Sequence, residues 1–191
     1  KPNDHETFFA MILPIYLYGQ NSLRKPTEEI DKNYPNLNEL IDNMFATMYN
    51  SHGIGLAAPQ VGLSIRLFVI DATPMREDFP DIITSKCVFI NPQIKETSED
   101  EITYEEGCLS LPNISEKVSR PKSIKIHYYD SNFEEHTTTF DGFFARIVQH
   151  EYDHLEGHVF TDHISPLRRQ MISNKLKNIS NGKTKCSYKT K

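Results

Sequence analysis

Three cysteines in 191 residues are too few, and odd in number, for a disulfide framework, and they point to a reducing compartment. No apolar stretch approaches the roughly 20 residues that a membrane-spanning helix needs. Internal repeats and low-complexity tracts are missing. So are an initial Met and an apolar signal core: the chain begins Lys1-Pro2-Asn3-Asp4, and no compartment is written there. Acidic residues are missing from Leu167 to Lys191, which holds eight of the 21 basic residues and none of the 26 acidic ones. The formal charge of −5 therefore describes an acidic body, unsuited to direct nucleic-acid binding, with a basic C-terminal segment. That segment reads either as a solvated helix and tail or as a docking surface for an acidic partner. The expected division is a single catalytic domain over 1–166 and the basic helix and tail over 167–191.

What is present is a mixed pattern. Leu37, Leu40, Ile41, Met44, Phe45, Met48 and Tyr49 mark one face of a helix between Pro35 and Gly53, with Asn36 and Glu39 as a capping box. Strands are expected over Ile65–Asp71, in "CVFINP" up to Pro92, in "SIKIHYYD" and in "EEHTTTFDG". Residues 72–86 read as a surface loop and 95–101 as a charged turn. A helix resumes near Phe143 and ends at Gly157; another begins at Ser165-Pro166, with Leu167, Met171, Ile172, Leu176 and Ile179 facing the core. The fold class is α+β: antiparallel sheets around a central helix, with an N-terminal and a C-terminal helix.

The central helix carries "QHEYDHLEG". His150 and His154, four apart, share a face and can offer two imidazoles to one metal ion, with Glu151 beside the first. A catalytic site of this kind needs a third protein ligand. Glu156 and His158 are too close in the chain to fold back. His163 downstream and Cys108 upstream, in "YEEGCLSLP", remain; a thiolate suits a divalent transition ion, although a lone cysteine is commonly a small buried hydrophobe. In "GIGLAAPQ", Gln60 has an amide able to donate to a developing oxyanion, and the segment lacks the pattern of a phosphate loop.

"GIGLAAPQ", "EGCLSLP" and "QHEYDHLEG", in that order, closely resemble the peptide deformylase family over about Pro35–Phe160. The resemblance implies that Cys108, His150 and His154 hold one divalent metal per chain. Glu151 would be the general acid/base, and Gln60 with the Leu109 N–H the oxyanion hole. It implies formylated nascent peptides as substrate, and Fe²⁺ as the native ion, replaceable by Zn²⁺, Co²⁺ or Ni²⁺; ligand softness alone would favour zinc. Aligned on the motifs, Ile54, Gly55, Tyr104, Glu106, Gly107, Phe143, Arg146 and Ile147 fall at the substrate pocket, Arg146 laying its stem along the wall with its head in water. Glu106 and Arg120 either pair behind the metal or face solvent.

Two alternatives stand beside it, the second from another class. A zinc endopeptidase would recruit His163; a binding module would capture formylated N-termini without turnover. A deformylase belongs where translation starts with formyl-methionine, and the basic segment then suggests ribosome contact. The missing Met and the Asn/Lys bias lead to the expectation of a plastid-type organelle (apicoplast) after transit-peptide removal, with bacterial cytoplasm or a mitochondrion as the alternative.

Overall fold

The computed structural model describes residues 9–83 and 86–191. The start of the chain and residues 84–85 of the expected 72–86 loop lie outside the described residues.

Helix α1 (Leu37–Asn50) buries Leu37, Ile41, Met44, Phe45 and Met48, a helical stripe that leaves Tyr49 largely exposed. The capping box does not form. Asn36 takes φ 54 and caps nothing with its side chain, a left-handed conformation that asparagine tolerates better than most residues.

Strands β1 (Gly55–Ala57), β2 (Leu67–Asp71), β3 (Lys86–Thr97), β6 (Ser123–Tyr129) and β7 (Glu135–Asp141) form one antiparallel sheet in that order. Strands β4 (Glu101–Cys108) and β5 (Leu111–Pro121) form a separate two-stranded ribbon. Strand β3 runs past Pro92, where the sequence suggested a stop. Pro92 falls where the register with β6 shifts between Ile90 and Gln93, so its missing N–H interrupts no regular ladder. The segment leading into Cys108, read above as a loop, is the end of β4. Its inward positions are Ile102, Tyr104 and the buried Glu106, so the apolar alternation fades as the strand nears the site.

Helix α2 (Gly142–Leu155) covers one face of the sheet and α1 the other. Alternation along β2 sends Phe68 and Ile70 toward α2, among Phe89, Ile126, Phe144 and Val148, and Leu67 and Val69 toward Met44 and Met48 of α1. Both faces being covered, β2 is apolar at successive positions. Each such fully buried side chain stabilises the fold by roughly 1.5–3 kcal/mol.

A third apolar cluster joins the ribbon to the C-terminal segment. Ser165 accepts from Arg168 N at 3.2 Å and Pro166 opens helix α3 (Pro166–Met171). The expected single helix breaks at Ile172 and resumes as α4 (Ser173–Ser180). The break takes the first turns off the core: Leu167 and Met171 are 67% and 64% exposed, whereas Ile172, Leu176 and Ile179 pack beside Leu111 and Val118 of β5. The last residues return to the body. Thr190 bridges Ile15 in parallel, and Lys191 N donates to Ile15 O at 2.8 Å.

Candidate metal centre and cleft

A cleft of about 900 Å³ opens between the edge strand β1 and strand β4, floored by α2. Asp141 accepts from Gly142 N to start α2, and the helix then presents His150 and Glu151 to the cleft, with His154 buried one turn on. One donor atom from each of Cys108, His150 and His154 lies within 4.8 Å of the others. Cys108 Sγ is 3.4 Å from His154 Nε2. His150 Nδ1 faces Glu106 Oε1 at 2.8 Å, which leaves Nε2 for a ligand bond.

The donor set fits a divalent transition ion: one thiolate, two imidazoles and an open side toward the cleft. Two buried polar atoms beside it, His154 Nδ1 and Glu151 Oε2, have no hydrogen-bond partner in the structure. Electrostatics points the same way. Burial pushes the Cys108 thiol up, but His154 and His150 pull it down to about 5. Burial pushes the Glu151 carboxyl up, only partly offset by the two histidines, to about 7. Gly55 allows β1 to pass directly over that carboxyl; any Cβ there would collide with Glu151 Oε1.

Gln60 sits in the 3-10 turn Ala58–Val61 and is 1% exposed. Its Oε1 accepts from Ala57 N at 2.9 Å, which aims Nε2 at Ser110 Oγ (3.1 Å) and Cys108 Sγ (3.5 Å). Leu109 follows Cys108 and also lines the cleft.

Behind the histidines lies a buried ion network. Glu106 accepts from Arg120 Nε (2.8 Å) and Nη2 (3.0 Å) and from Arg146 Nη1 (2.5 Å). Arg120 also donates to Asp153 at 2.7 Å. Burial would raise the Glu106 carboxyl, but His150 and Arg120 hold it well below the usual carboxylate range. Of the two readings of Glu106 and Arg120, the structure has the pair. Arg146 departs from expectation. Its head is not in water but 3% exposed, donating also to Val118 O and Ile102 O. A guanidinium within reach of a buried carboxylate and two carbonyls is better satisfied there.

Ile54, Gly55, Gly107, Phe143 and Ile147 line the cleft; Tyr104 does not. Tyr104 stands edge-on to Phe143 and Phe79 and lines a neighbouring cavity. Sequence reasoning missed Met75, on the cleft wall, and Phe79, stacked on Phe143 with ring centroids 4.1 Å apart. Both belong to the 72–86 segment, whose polar character hid them. His163 is held by Asp153 at 2.7 Å.

Residues 12–170 match the family described as polypeptide deformylase. The chain belongs to that family. It is 50% identical over 186 residues to the peptide deformylase of Christiangramia forsetii, covering 94% of this chain and 95% of that one. It is likewise 50% identical over 188 residues to the peptide deformylase of Flavobacterium johnsoniae, covering 95% and 96%. Among solved structures, a plant peptide deformylase superposes with a TM-score of 0.81 at 38% identity, covering 93% and 94%. The Plasmodium falciparum peptide deformylase gives 0.80 at 38%, covering 88% and 95%. The reading of the sequence as a peptide deformylase of α+β fold stands.

The apicoplast expectation does not. Bacterial relatives reach 45–50% identity, above the plant and Plasmodium structures, and bacterial cytoplasm, the alternative, is what fits. Asn and Lys content reports base composition rather than organism class, so it was a poor guide.

Proposed function

We propose that the cleft removes the formyl group from the N-terminal formyl-methionine of nascent peptides at one divalent metal held by Cys108, His150 and His154. The observation that carries the reading is the convergence of these three donors beside a buried carboxyl, Glu151, whose Oε2 has no hydrogen-bond partner in the structure. Fe²⁺ is the proposed native ion, on the family resemblance, with Zn²⁺, Co²⁺ or Ni²⁺ as replacements. Bound there, the ion supplies Lewis-acid activation of water and of the formyl oxygen.

The chain's own residues do the rest. Glu151 takes the proton of the attacking water, whose oxygen adds to the formyl carbon. Gln60 Nε2 and the Leu109 N–H donate to the oxygen that gains negative charge. Glu151 returns its proton to the amine as the C–N bond breaks, leaving formate and a free N-terminus. Glu106 acts through His150: accepting from Nδ1, it fixes the ring's tautomer and orientation. The peptide backbone adds as a strand along Ile54 and Gly55 on the β1 edge, facing Gly107 of β4. Ile54, Met75, Phe143 and Ile147 form the slot for the methionine side chain.

The peptidase alternative is weakened because, among the described residues, the donor that gathers with His150 and His154 is Cys108 and not His163. The binding-module alternative has no explanation for the carboxyl of Glu151. We assign catalysis to the body over 1–166, and within 167–191 we assign docking to the exposed Lys175 and Lys177 of α4, on an acidic ribosomal surface. Arg168 and Arg169 are already paired with Glu116 and Asp162. Reversing both lysine charges without losing co-sedimentation with ribosomes would refute that docking. The deformylase reading is tested by formate release from formyl-Met-Ala-Ser with anaerobically purified protein, metal content being measured on the same sample.

A further inference from the structure

The C-terminal tail reaches the reaction site from a segment outside the family match, which stops at residue 170. Lys185, Cys186, Ser187 and Tyr188 line the same cleft as Cys108 and His150. The Tyr188 hydroxyl donates to Leu109 O at 2.6 Å, across 79 residues of chain. Its ring and Cys186 pack in one cluster with Cys108 and Leu109. The tail is anchored on the far side of this contact. Ile15 N donates to Lys189 O at 2.9 Å, Leu17 N to Lys191 O at 3.1 Å, and Lys191 N back to Ile15 O.

The short link that Tyr188 grips joins the two strands of the ribbon, Leu109 and Ser110 between β4 and β5. Three other contacts hold it. Tyr18 N donates to Ser110 O at 2.8 Å, and Gln60 Nε2 donates to Ser110 Oγ. The Leu109 side chain lies against Gly53, where an added Cβ would come within 2.8 Å of its Cδ1. The tail holds the peptide plane that carries Leu109 O. The neighbouring plane, which carries the Leu109 N–H, shares the Leu109 Cα with this one, so holding Leu109 O limits the displacement of that Cα and of the N–H attached beside it.

We infer that Tyr188 is a positioning residue for deformylation. Through its hydroxyl, the tail fixes the Leu109–Ser110 peptide and so aims the Leu109 N–H at the oxygen that gains charge. This rests on the deformylase reading above and deepens it. The tail is then a working wall of the cleft and not only a basic appendage. Deleting an oxyanion donor outright costs about 10²–10³ in turnover. Loosening the aim of one costs less, about tenfold.

The test compares three proteins of equal metal content: wild type, Tyr188→Phe, and a chain ended after Gly182. Formate release from formyl-Met-Ala-Ser gives kcat and KM; thermal unfolding gives Tm. Tyr188→Phe removes one oxygen and keeps the packing. The expected result is kcat down about tenfold, KM within about twofold, and Tm and metal content unchanged, with at least as large a loss in the shortened chain. A Tyr188→Phe kcat within twofold of wild type would overturn the inference. So would a kcat that falls only in step with Tm or metal content, because the hydroxyl would then be structural. The substitution decides the matter even where the shortened chain fails to fold. A wild-type protein that holds metal and releases no formate would instead overturn the deformylase reading itself.

Discussion

On the α2 side of the cleft, Glu106, Arg120 and Arg146 are charged and hydrogen-bonded to one another out of water, with the half-buried Asp153 at the edge of the network. On the side facing the 72–83 segment, Met75, Phe79 and Phe143 meet through apolar contact and ring stacking. The charged side touches His150 and sets its orientation. The apolar side touches nothing that reacts. One wall fixes geometry to within a hydrogen bond, and the other offers a slot whose occupant is chosen by shape. Errors in the first should damage turnover and folding; errors in the second should damage substrate affinity.

The largest expected effect lies between the two walls. Glu151→Gln should lower formate release by about 10²–10⁴ while the protein still binds its metal, since it removes the proton carrier and keeps the shape. Activity within tenfold of wild type would show that the carboxyl is not the acid/base.

On the charged wall, Glu106→Ala leaves the buried Arg120 and Arg146 without their shared carboxylate. Breaking a buried pair from one side costs about 3–5 kcal/mol, and losing the partner of a ligand histidine costs about 10–100-fold in metal affinity. Denaturant unfolding and metal titration check both. An effect on one without the other would separate scaffold from ligand orientation.

On the apolar wall, Phe143→Ala should raise KM for formyl-methionyl peptides about tenfold and leave kcat nearly unchanged, because it removes slot surface far from the proton path. A loss confined to kcat would contradict the division between the walls.

The smallest effect concerns Asp162, an ion pair that belongs to neither wall. Burial raises its carboxyl, but Arg24 and the Val159 N–H outweigh it and hold the group below its usual value. Its stabilisation is therefore present above the unfolded carboxylate pKa of about 4 and lost as the pH falls through the lower folded value. Arg24 and Arg169 are 43% and 46% exposed, so solvent screening keeps the contribution below about 1 kcal/mol. Asp162→Asn should flatten the acid limb of the stability curve by no more than that.

Legibility in the sequence followed the range of the interactions. His150, Glu151 and His154 were readable because helix geometry alone puts positions four apart on one face. Strand β6 was readable from local alternation and β7 from its β-prone run of threonines. Cys108 could not be chosen over His163 from spacing alone, and the family resemblance was needed to prefer it. Arg146 was misread because its partners, Glu106, Val118 and Ile102, lie 28 to 44 residues away. A buried arginine and a solvent-facing one look alike in a sequence. The Tyr188 contact with Leu109 left no trace at all, being one tyrosine in a polar tail.

The most direct measurement is metal content and formate release on one anaerobic preparation of wild type and Cys108→Ala. The account predicts one divalent ion per wild-type chain, formate released from formyl-Met-Ala-Ser, and both lost together in Cys108→Ala. A Cys108→Ala protein that keeps its metal and its activity would contradict the account, because the third donor would then lie elsewhere.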